Sequence, residues 1–432
     1  MTKRWLIALG LLVTVMSWQA RAELVIEITG GSEAALPIAL VPFGSDGYTA
    51  PVDISEIVRN DLAGSGRFAP LSKQDLISQP HEQAEVNFAD WRLLRSEGLV
   101  IGKVSSVDGQ TYDVQFQLFD VYKAQQLVGK RYQVPASGLR HLAHQIADQI
   151  YQALTGDIGV FATRLSFVTV INNADGSKRF ALQVSDADGA NPRTVLQSKE
   201  PIMSPSWSPD GERLSYVSFE NGKTEVFIQE MRSGRRDSVA AFNGINSAPS
   251  WSPDGKKLAL TLSKGGNPEI YVLVLATGNL SRVTHNSQSI DTEAVWLPNG
   301  KELVFTSDRG GRPQIYKVAV DGGNATRITF DGSYNSSPDV SPDGRFLTMV
   351  HGVKGKYYIA VQDLSSGAVQ VLTETGRDES PSFAPNSRMI LYATERNGKG
   401  VLAAVSVDGR IQQRLGEAGI DVREPAWSPI RK

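Results

Sequence analysis

The chain of 432 residues has no cysteine, and that absence excludes several kinds of site. Disulfides, thiolate nucleophiles, thiolate metal ligands and a lipid-modified cysteine after a leader all require a thiol. The fold must therefore be stabilised by buried cores, for which 41% hydrophobic residues are available.

Long apolar runs are also missing, except at the start of the chain. Lys3 and Arg4 precede an apolar stretch over residues 5–18, and Ala20-Arg21-Ala22 places small residues where a signal peptidase cleaves. The stretch is shorter than the roughly 20 residues that a membrane-spanning helix needs. We therefore predict export and a signal peptide over residues 1–22, cleaved between Ala22 and Glu23. An uncleaved amino-terminal anchor is the alternative.

Neither sign of charge predominates. The 44 basic and 46 acidic residues give a formal net charge of −2, and removal of the leader brings it to about −5. Binding to nucleic acid or to an anionic lipid surface uses basic clusters, which this sequence does not have. We expect no nucleic-acid partner and no membrane span in the mature chain.

Motifs of catalytic sites are absent as well. The sequence has no Gly-x-Ser-x-Gly elbow and no phosphate-binding or dinucleotide-binding glycine loop. His141 and His144 have His-x-x-His spacing, but they lie off or beside the apolar face of a predicted helix and lack an adjacent carboxylate partner in the pattern. We therefore expect no zinc site. The sequence predicts a binding protein rather than an enzyme.

What the sequence does contain is an internal repeat. The motif Trp-Ser-Pro-Asp-Gly and its variants recur six times, with prolines at 209, 253, 298, 342, 385 and 429, in steps of 44, 45, 44, 43 and 44 residues. Proline and glycine in this order suit a tight turn after a short strand, and further strands follow each complete motif. Repeats of roughly 40–45 residues with four strands are typical of β-propeller blades.

The last repeat stops after its first strand, at residues 425–429. Three strands at residues 164–196 precede the first motif and have no first strand of their own. Pairing of the C-terminal strand with residues 164–196 would complete one blade from both ends of the domain and leave no open sheet edge. We predict an all-β six-bladed propeller over residues 161–432.

Residues 23–160 lack the repeat and alternate strands with helices. A capping box predicts a helix that begins after Asp53, a second helix is predicted over residues 87–97, and apolar residues at helical spacing predict a third that ends at Gly156. Between the last two, strands at 99–104, 112–121 and 127–134 form a predicted meander. This order favours a small α/β domain over residues 23–160.

The leader, the α/β domain with Ser65-Gly66-Arg67-Phe68, the six repeats and the segment Gly-Arg-Pro-Gln-Ile-Tyr at 311–316 together resemble the TolB family over nearly the full length. The resemblance implies a periplasmic component of the Tol–Pal system that supports outer-membrane integrity and envelope constriction during cell division. It also implies that the propeller binds the lipoprotein Pal, that the N-terminal part binds TolA, and that bacteriocins exploit the propeller face.

Strand order separates the two faces of the predicted ring. The Ser-Pro-Asp-Gly turns lie on one, here called the turn face, and the loops that lead into the inner strands lie on the other, the entrance face. The entrance loops vary while the turns repeat, which is typical of binding loops on a scaffold. By resemblance we expect Pal to dock on the entrance face, with ordinary solvated loop residues as the alternative. The predicted Pal-binding residues are Met203, Asn246, Ala248, Asp291, Thr292, Glu293, Asn335, Ser336, Asp378 and Glu379.

The same loops are rich in carboxylates, which include Asp421 and Glu424 besides those just named. Clustered carboxylates could hold Ca²⁺ in the propeller channel, because this cation prefers several oxygen ligands. No ligand loop of regular spacing is present, however, and solvated acids are the favoured interpretation. No cofactor is required by the sequence.

The start of the mature chain is the other predicted site. By resemblance, TolA is expected to contact the segment Glu23, Leu24, Val25, Ile26, Glu27, Ile28 and Thr29. This segment alternates apolar and polar residues and precedes a Gly-Gly break, so it could detach and add to the edge of a partner's sheet. The alternative is a permanent edge strand of the α/β domain.

Two other functions remain as alternatives: an exported propeller that binds carbohydrate or peptidoglycan, and the propeller part of a peptidase system. Tryptophans of the repeat could stack on sugar rings. Their equivalent positions ahead of the turns favour packing between blades instead. The residues concerned are Trp207, Trp251, Trp296 and Trp427.

Overall fold

The computed structural model describes residues 26–28, 35–45, 47, 50–173, 175–286, 288–415 and 420–431. The predicted signal peptide and its cleavage site lie outside these residues. In the part of the chain that is described, no helix is long and apolar enough to cross a membrane.

The N-terminal part forms the predicted α/β domain around a mixed sheet. The strand order is β4-β2-β5-β6-β7, with β2 parallel to both neighbours, β5, β6 and β7 antiparallel, and β3 paired with β5. The first strand of the chain, β1, does not belong to this sheet. The elements are β1 Ile26–Ile28, β2 Leu36–Leu40, β3 Gly44–Ser45, α1 Ile54–Gly64, β4 Phe68–Pro70, α2 Phe88–Leu93, β5 Gly98–Ser106, β6 Thr111–Asp120, β7 Gln125–Pro135 and α3 Leu139–Thr155, with 3₁₀ turns at Lys73–Asp75, Gln83–Glu85 and Ala136–Gly138.

The ends of the helices are set by capping residues. The Asp53 carboxylate accepts a hydrogen bond from the backbone N–H of Glu56 at 3.0 Å and caps α1. Gly156 has φ of 78°, a left-handed conformation that glycine adopts without strain, and it ends α3. The second helix is shorter than the predicted range of 87–97, because α2 ends at Leu93.

The rest of the chain forms six four-stranded blades, each antiparallel. Blade 1 combines the last strand of the chain, β31, with β8, β9 and β10, and blades 2 to 6 follow in chain order. The strands of blade 1 are β31 Asp421–Trp427, β8 Arg164–Asn172, β9 Lys178–Asp186 and β10 Arg193–Ser198. Those of blades 2 and 3 are β11 Ile202–Trp207, β12 Arg213–Ser218, β13 Glu225–Glu230, β14 Arg236–Ala240, β15 Asn246–Trp251, β16 Lys257–Leu262, β17 Glu269–Val274 and β18 Leu280–Arg282. Those of blades 4 to 6 are β19 Asp291–Trp296, β20 Glu302–Ser307, β21 Gln314–Ala319, β22 Thr326–Arg327, β23 Tyr334–Val340, β24 Phe346–Val353, β25 Lys356–Asp363, β26 Val369–Val371, β27 Glu379–Phe383, β28 Met389–Arg396, β29 Lys399–Ser406 and β30 Gln412–Leu415.

The two ends of the propeller meet in blade 1. Strand β31 pairs antiparallel with β8, and Trp427 lies opposite Leu165 in the register. Ser428 donates its backbone N–H to the carbonyl of Arg164 at 2.8 Å, beyond the end of the strand. The pairing gives the inner strand of blade 1 a neighbour from the far end of the sequence.

The repeated tryptophans pack between blades. The indole N–H of Trp251 donates to the carbonyl of Ser206 in the preceding blade at 3.1 Å, and that of Trp296 donates to Ser250 at 3.1 Å. Both rings are buried, as is Trp207. The structure therefore agrees with packing between blades, and these three rings are not available for sugar stacking.

The α/β domain packs on the turn face of blades 1 and 6. Arg140 of α3 forms ion pairs with Asp186, the last residue of β9, and with Asp188 in the turn that follows. Arg388, in blade 6, pairs with Asp157 at 2.6 Å. Since the turn face carries this domain, the entrance face is the side of the ring left uncovered by it.

Candidate functional site: the entrance face and channel

One residue in each inner strand adopts a left-handed conformation. Its φ lies between 48° and 56° in all six blades, and the pairing register of the inner strand shifts there. These bulges turn the residues toward the central axis, where together they line a channel of about 370 Å³. The six bulge residues are Ser204, Ala248, Glu293, Ser337, Ser380 and Glu424.

Glu293 connects two neighbouring blades across the channel. Its carboxylate accepts the backbone N–H of Ser337 at 2.9 Å and the Ser337 hydroxyl at 3.0 Å, and it also accepts the hydroxyl of Thr306 at 2.9 Å. Ser337 is the bulge residue of blade 5, whereas Glu293 is that of blade 4. The Glu293 carboxylate, which is predicted to bind a partner, thus also forms hydrogen bonds between blades 4 and 5.

Glu424 repeats this contact between blades 1 and 2. Its carboxylate accepts the backbone N–H of Ser204 at 3.2 Å. Burial raises the pKa of Glu424 to about 7, and the charges of Glu379 and Glu293 act in the same direction. A group that titrates near neutrality therefore lines the channel.

Half of the ten predicted Pal-binding residues are buried, so the alternative of ordinary solvated loop residues is wrong for these five. The reason is that four of them lie at the start of an inner strand or one residue from it, where their side chains are hydrogen-bonded to neighbouring loops or strands. The Asn246 amide, for example, donates to the carbonyls of Thr224, Phe242 and Gly244. The five buried residues are Asn246, Asp291, Asn335, Ser336 and Asp378.

Asp291 and Asn335 show that each blade fastens its loop differently. Asp291 accepts the guanidinium of Arg309 at 2.6 Å, and burial raises its pKa. Asn335 donates to the side chain of Gln314 at 2.9 Å and contacts the ring of His351 at 2.8 Å. Such partners are residues 16 to 21 positions away, and a one-dimensional pattern does not reveal them.

The other five predicted residues lie at or near the surface. Met203 and Glu379 are exposed, and Ala248, Thr292 and Glu293 are partly buried around the channel. The sequence analysis missed a set of exposed apolar side chains beside them. Most of these occur in the loops just before inner strands, which is the signal that could have identified them: Ile245, Ile290, Phe330 and Ile420.

The carboxylates of the entrance face do not converge. Arg309 pairs with Asp291, Arg423 pairs with Asp421 at 3.1 Å, and Glu293 and Glu424 serve the neighbouring bulges. Within the described residues, the one group of at least three histidine or acidic side chains close enough for a shared metal ion is Asp61, His144 and Asp188, which is not in the channel. No such group occurs among the described residues that line the channel.

Residues 26–28, the described part of the predicted TolA-binding segment, lie in the propeller rather than in the α/β domain. Strand β1 pairs antiparallel with β30, the outermost strand of blade 6, with Ile26 opposite Leu415 and Ile28 opposite Gln413. The alternative of a permanent edge strand of the α/β domain is therefore wrong about the sheet. Of the predicted TolA-binding segment, Glu23, Leu24, Val25 and Thr29 lie outside the described residues.

His144 also differs from the prediction. It is buried at 1% exposure, and its Nδ1 lies 2.6 Å from the carboxylate of Asp61 on α1. The prediction that His144 lies off or beside the buried face of the helix is wrong, and its carboxylate partner is not in the local pattern because it comes from a helix 83 residues earlier. His141, in contrast, is exposed.

Comparison with known proteins covers both parts of the chain. Residues 24–127 match the family model described as the TolB amino-terminal domain, and residues 151–431 match the TolB beta propeller domain. A protein from Nitrosococcus oceani described as Tol-Pal system protein TolB is 61% identical over 99% of both chains. One from Xanthomonas campestris with the same description is 47% identical over 99% of this chain and 98% of its own.

A solved structure agrees with both the sequence matches and the fold. The crystal structure of TolB from Acinetobacter baumannii superposes with a TM-score of 0.87 at 41% identity, covering 94% of this chain and 100% of that one. The six blades, the α/β domain and these full-length relatives together show that the chain belongs to the TolB family of non-enzymatic, periplasmic propeller proteins.

Proposed function

We propose that this protein is an interaction component of the Tol–Pal system, with Pal bound on the entrance face of the propeller and TolA bound by the N-terminal segment. In this role it supports outer-membrane integrity and envelope constriction during cell division. The relatives carry the name of that system. The observation that carries the proposal is the uncovered entrance face with its exposed apolar side chains.

Apolar side chains of this size are suitable anchors for a protein partner. Ile290 is 50% exposed and Phe330 is 73% exposed, and Met203 lies on the same face at 41%. Interfaces commonly take most of their binding energy from a few large apolar or aromatic anchors surrounded by polar residues. Thr292 and Glu379, in the inner strands of blades 4 and 6, would supply part of the polar rim.

A titration of the mature protein against Pal tests the entrance face. Ile290→Asp and Phe330→Asp are expected to weaken binding about tenfold or more each, since a charge would replace an apolar anchor. The matched control is Leu93→Asp, an apolar side chain in the α/β domain with 81% exposure. Equal affinity of all three variants and the parent would contradict the assignment.

The N-terminal segment is held in a way that permits exchange. Strand β1 has three residue pairs with β30 and lies at the outer edge of the sheet of blade 6. So short an edge strand costs little to detach, and an extended segment can add to the edge of a partner's sheet through its backbone. This supports TolA as the partner of the segment.

Deletion of residues 23–34 separates the two parts of the proposal. The shortened protein should lose TolA binding while it still binds Pal, because the entrance loops are unchanged. If TolA affinity survived the deletion, the N-terminal segment would not be its binding site. If Pal affinity were also lost, the two sites would be coupled rather than independent.

A further inference from the structure

A buried charge cluster joins the two domains. His144 on α3 lies between Asp61 on α1, at 2.6 Å from Nδ1, and Asp188 of the propeller, at 3.9 Å from Nε2. His144 is 1% exposed and Asp61 is 4% exposed. One imidazole therefore faces a carboxylate of its own domain and a carboxylate of the other.

The second ring nitrogen is the feature that needs an explanation. Nε2 of His144 is buried and has no hydrogen-bond partner among the residues that the structure describes. In the neutral ring with its proton on Nδ1, Nε2 would turn a lone pair toward the carboxylate of Asp188. In the doubly protonated ring, both nitrogens are donors, and a small approach would bring Nε2–H into a charge-assisted hydrogen bond with Asp188.

We propose that His144 is a proton-dependent tie between the α/β domain and the propeller, which holds when the imidazole carries both protons and loosens when it loses one. A metal ion would be the other cation to consider at this cluster. Asp188, however, already accepts the guanidinium of Arg140, whose positive charge opposes a divalent metal ion about twice as strongly as a singly charged imidazolium. A proton fits the arrangement better.

The charged groups around His144 determine the direction of the effect. Burial opposes the charged ring, but the hydrogen bond and charge of Asp61, with the charge of Asp188, outweigh burial and Arg140 and raise the pKa of His144 above 6.5. A raised histidine pKa contributes stability that is fully present below 6.5 and is lost as the pH rises through the folded-state value. The contact between His144 and Asp188 is therefore expected at acidic pH and is lost as the pH rises through the pKa of His144.

Asp148 is a second titratable group in the same junction. It accepts the backbone N–H groups of Phe161 and Ala162 in the segment between the domains, and burial raises its pKa to about 7. It also interacts with the charges of Asp61 and His144. Any test of His144 must separate it from Asp148.

Loosening the tie would act on the space between the domains. Asp61 and Asp188 line a cavity of about 640 Å³ whose other walls include Ile411, Gln413 and Leu415. The last two residues are partners of strand β1 in blade 6. Movement at the tie would thus change the geometry next to the strand that holds the N-terminal segment.

Nuclear magnetic resonance titration of the histidine ring protons in the full mature chain provides the direct test. The chain has five histidines, and His144→Gln assigns the signal of interest. We expect a pKa above 6.5 for His144 and a fall toward 6.5 in Asp188→Asn, which changes only the propeller side. A His144 pKa at or below 6.5, or one unaffected by Asp188→Asn, would overturn the proposal.

Distances between spin labels measure the movement itself. The absence of native cysteine allows specific labelling of Val107→Cys and Ser233→Cys, one exposed site on each domain. Between about pH 5 and about pH 8 the distance distribution should broaden or shift, with a midpoint at the pKa of His144. His144→Gln should remove this change, whereas His141→Gln and Asp148→Asn should retain it.

Three outcomes would refute the tie. One is a distance distribution that does not depend on pH, and another is a pH dependence that persists in both His144→Gln and Asp188→Asn. The third is restoration of the acid-side distance by Zn²⁺ at about pH 8, which would identify a metal ion rather than a proton as the bridging cation.

Discussion

The loops on the turn face and those on the entrance face of the propeller are held by different kinds of hydrogen bonds. On the turn face, a serine hydroxyl binds the aspartate two residues later in three blades, and the following glycine donates its N–H to the serine carbonyl. On the entrance face, the residue five positions before the repeated tryptophan or its equivalent is Asn246, Asp291, Asn335 or Asp378 in four blades, and each has different partners.

The repeated motif therefore predicts the hydrogen bonds of the turns but not those of the entrance loops. A tight turn satisfies its backbone within five residues, so the same residues serve every blade. On the entrance face the partners are backbone carbonyls in one blade and side chains of a loop or a strand in the others, so each blade uses a different set. Sequence variation on the entrance face therefore reflects blade-specific fastening as well as any partner contact.

The largest effect that separates the faces should come from removing a blade-packing ring. Trp251→Ala is expected to lower the free energy of unfolding by about 3–5 kcal/mol, because a buried indole and its hydrogen bond to Ser206 are lost. Phe330→Ala, an exposed aromatic of the entrance face, should stay within about 0.5 kcal/mol. Urea denaturation followed by far-ultraviolet circular dichroism, which reports on the backbone rather than on the tryptophans, measures the free energy of unfolding of both variants. Similar losses in the two variants would mean that the faces do not divide scaffold from surface.

A smaller effect tests whether Glu293 belongs to the scaffold or to the surface. Glu293→Ala should cost about 2 kcal/mol, since the N–H of Ser337 and the hydroxyl of Thr306 lose a charged acceptor. The matched control is Glu379→Ala, whose side chain is exposed on the same face, and it should cost less than about 0.5 kcal/mol. Denaturation midpoints for the two variants decide between the roles. A loss of Pal binding in Glu293→Ala without loss of stability would place this carboxylate at the surface after all.

The blade count and the helices of the α/β domain could be predicted because their signals are local. The spacing of the prolines, the turn chemistry of Ser-Pro-Asp-Gly and the apolar period of α3 are each contained within one element. Six sheets and the third helix appear where these patterns placed them.

The candidate site could be predicted only as a face. The burial of Asp291 depends on Arg309 in the turn after β20, and that of His144 on Asp61 in a different helix. The position of β1 depends on β30, nearly four hundred residues later. Each of these contacts forms only when distant parts of the chain pack together, and no local sequence pattern predicts the partner.

The smallest expected effect is on the pH dependence of stability, where a carboxylate on each face shifts stability in the opposite direction. Burial raises the pKa of Glu424 on the entrance side to about 7, so its contribution is present below 4.5 and is lost as the pH rises to about 7. Asp254 in a Ser-Pro-Asp-Gly turn has its pKa lowered by the hydroxyl of Ser252 and the N–H of Lys256, so its contribution is lost only as the pH falls below 3.8.

Thermal unfolding across a pH series of the parent, Glu424→Gln and Asp254→Asn separates these two carboxylates. Between pH 4.5 and 7, the parent should lose on the order of 1–2 kcal/mol relative to Glu424→Gln, which has no proton to release. Asp254→Asn should follow the parent over this range and differ from it only in acid. If Glu424→Gln followed the parent instead, the channel carboxylate would be ionised and solvated like the acids of the turn face. The two faces would then differ in packing alone, not in electrostatics.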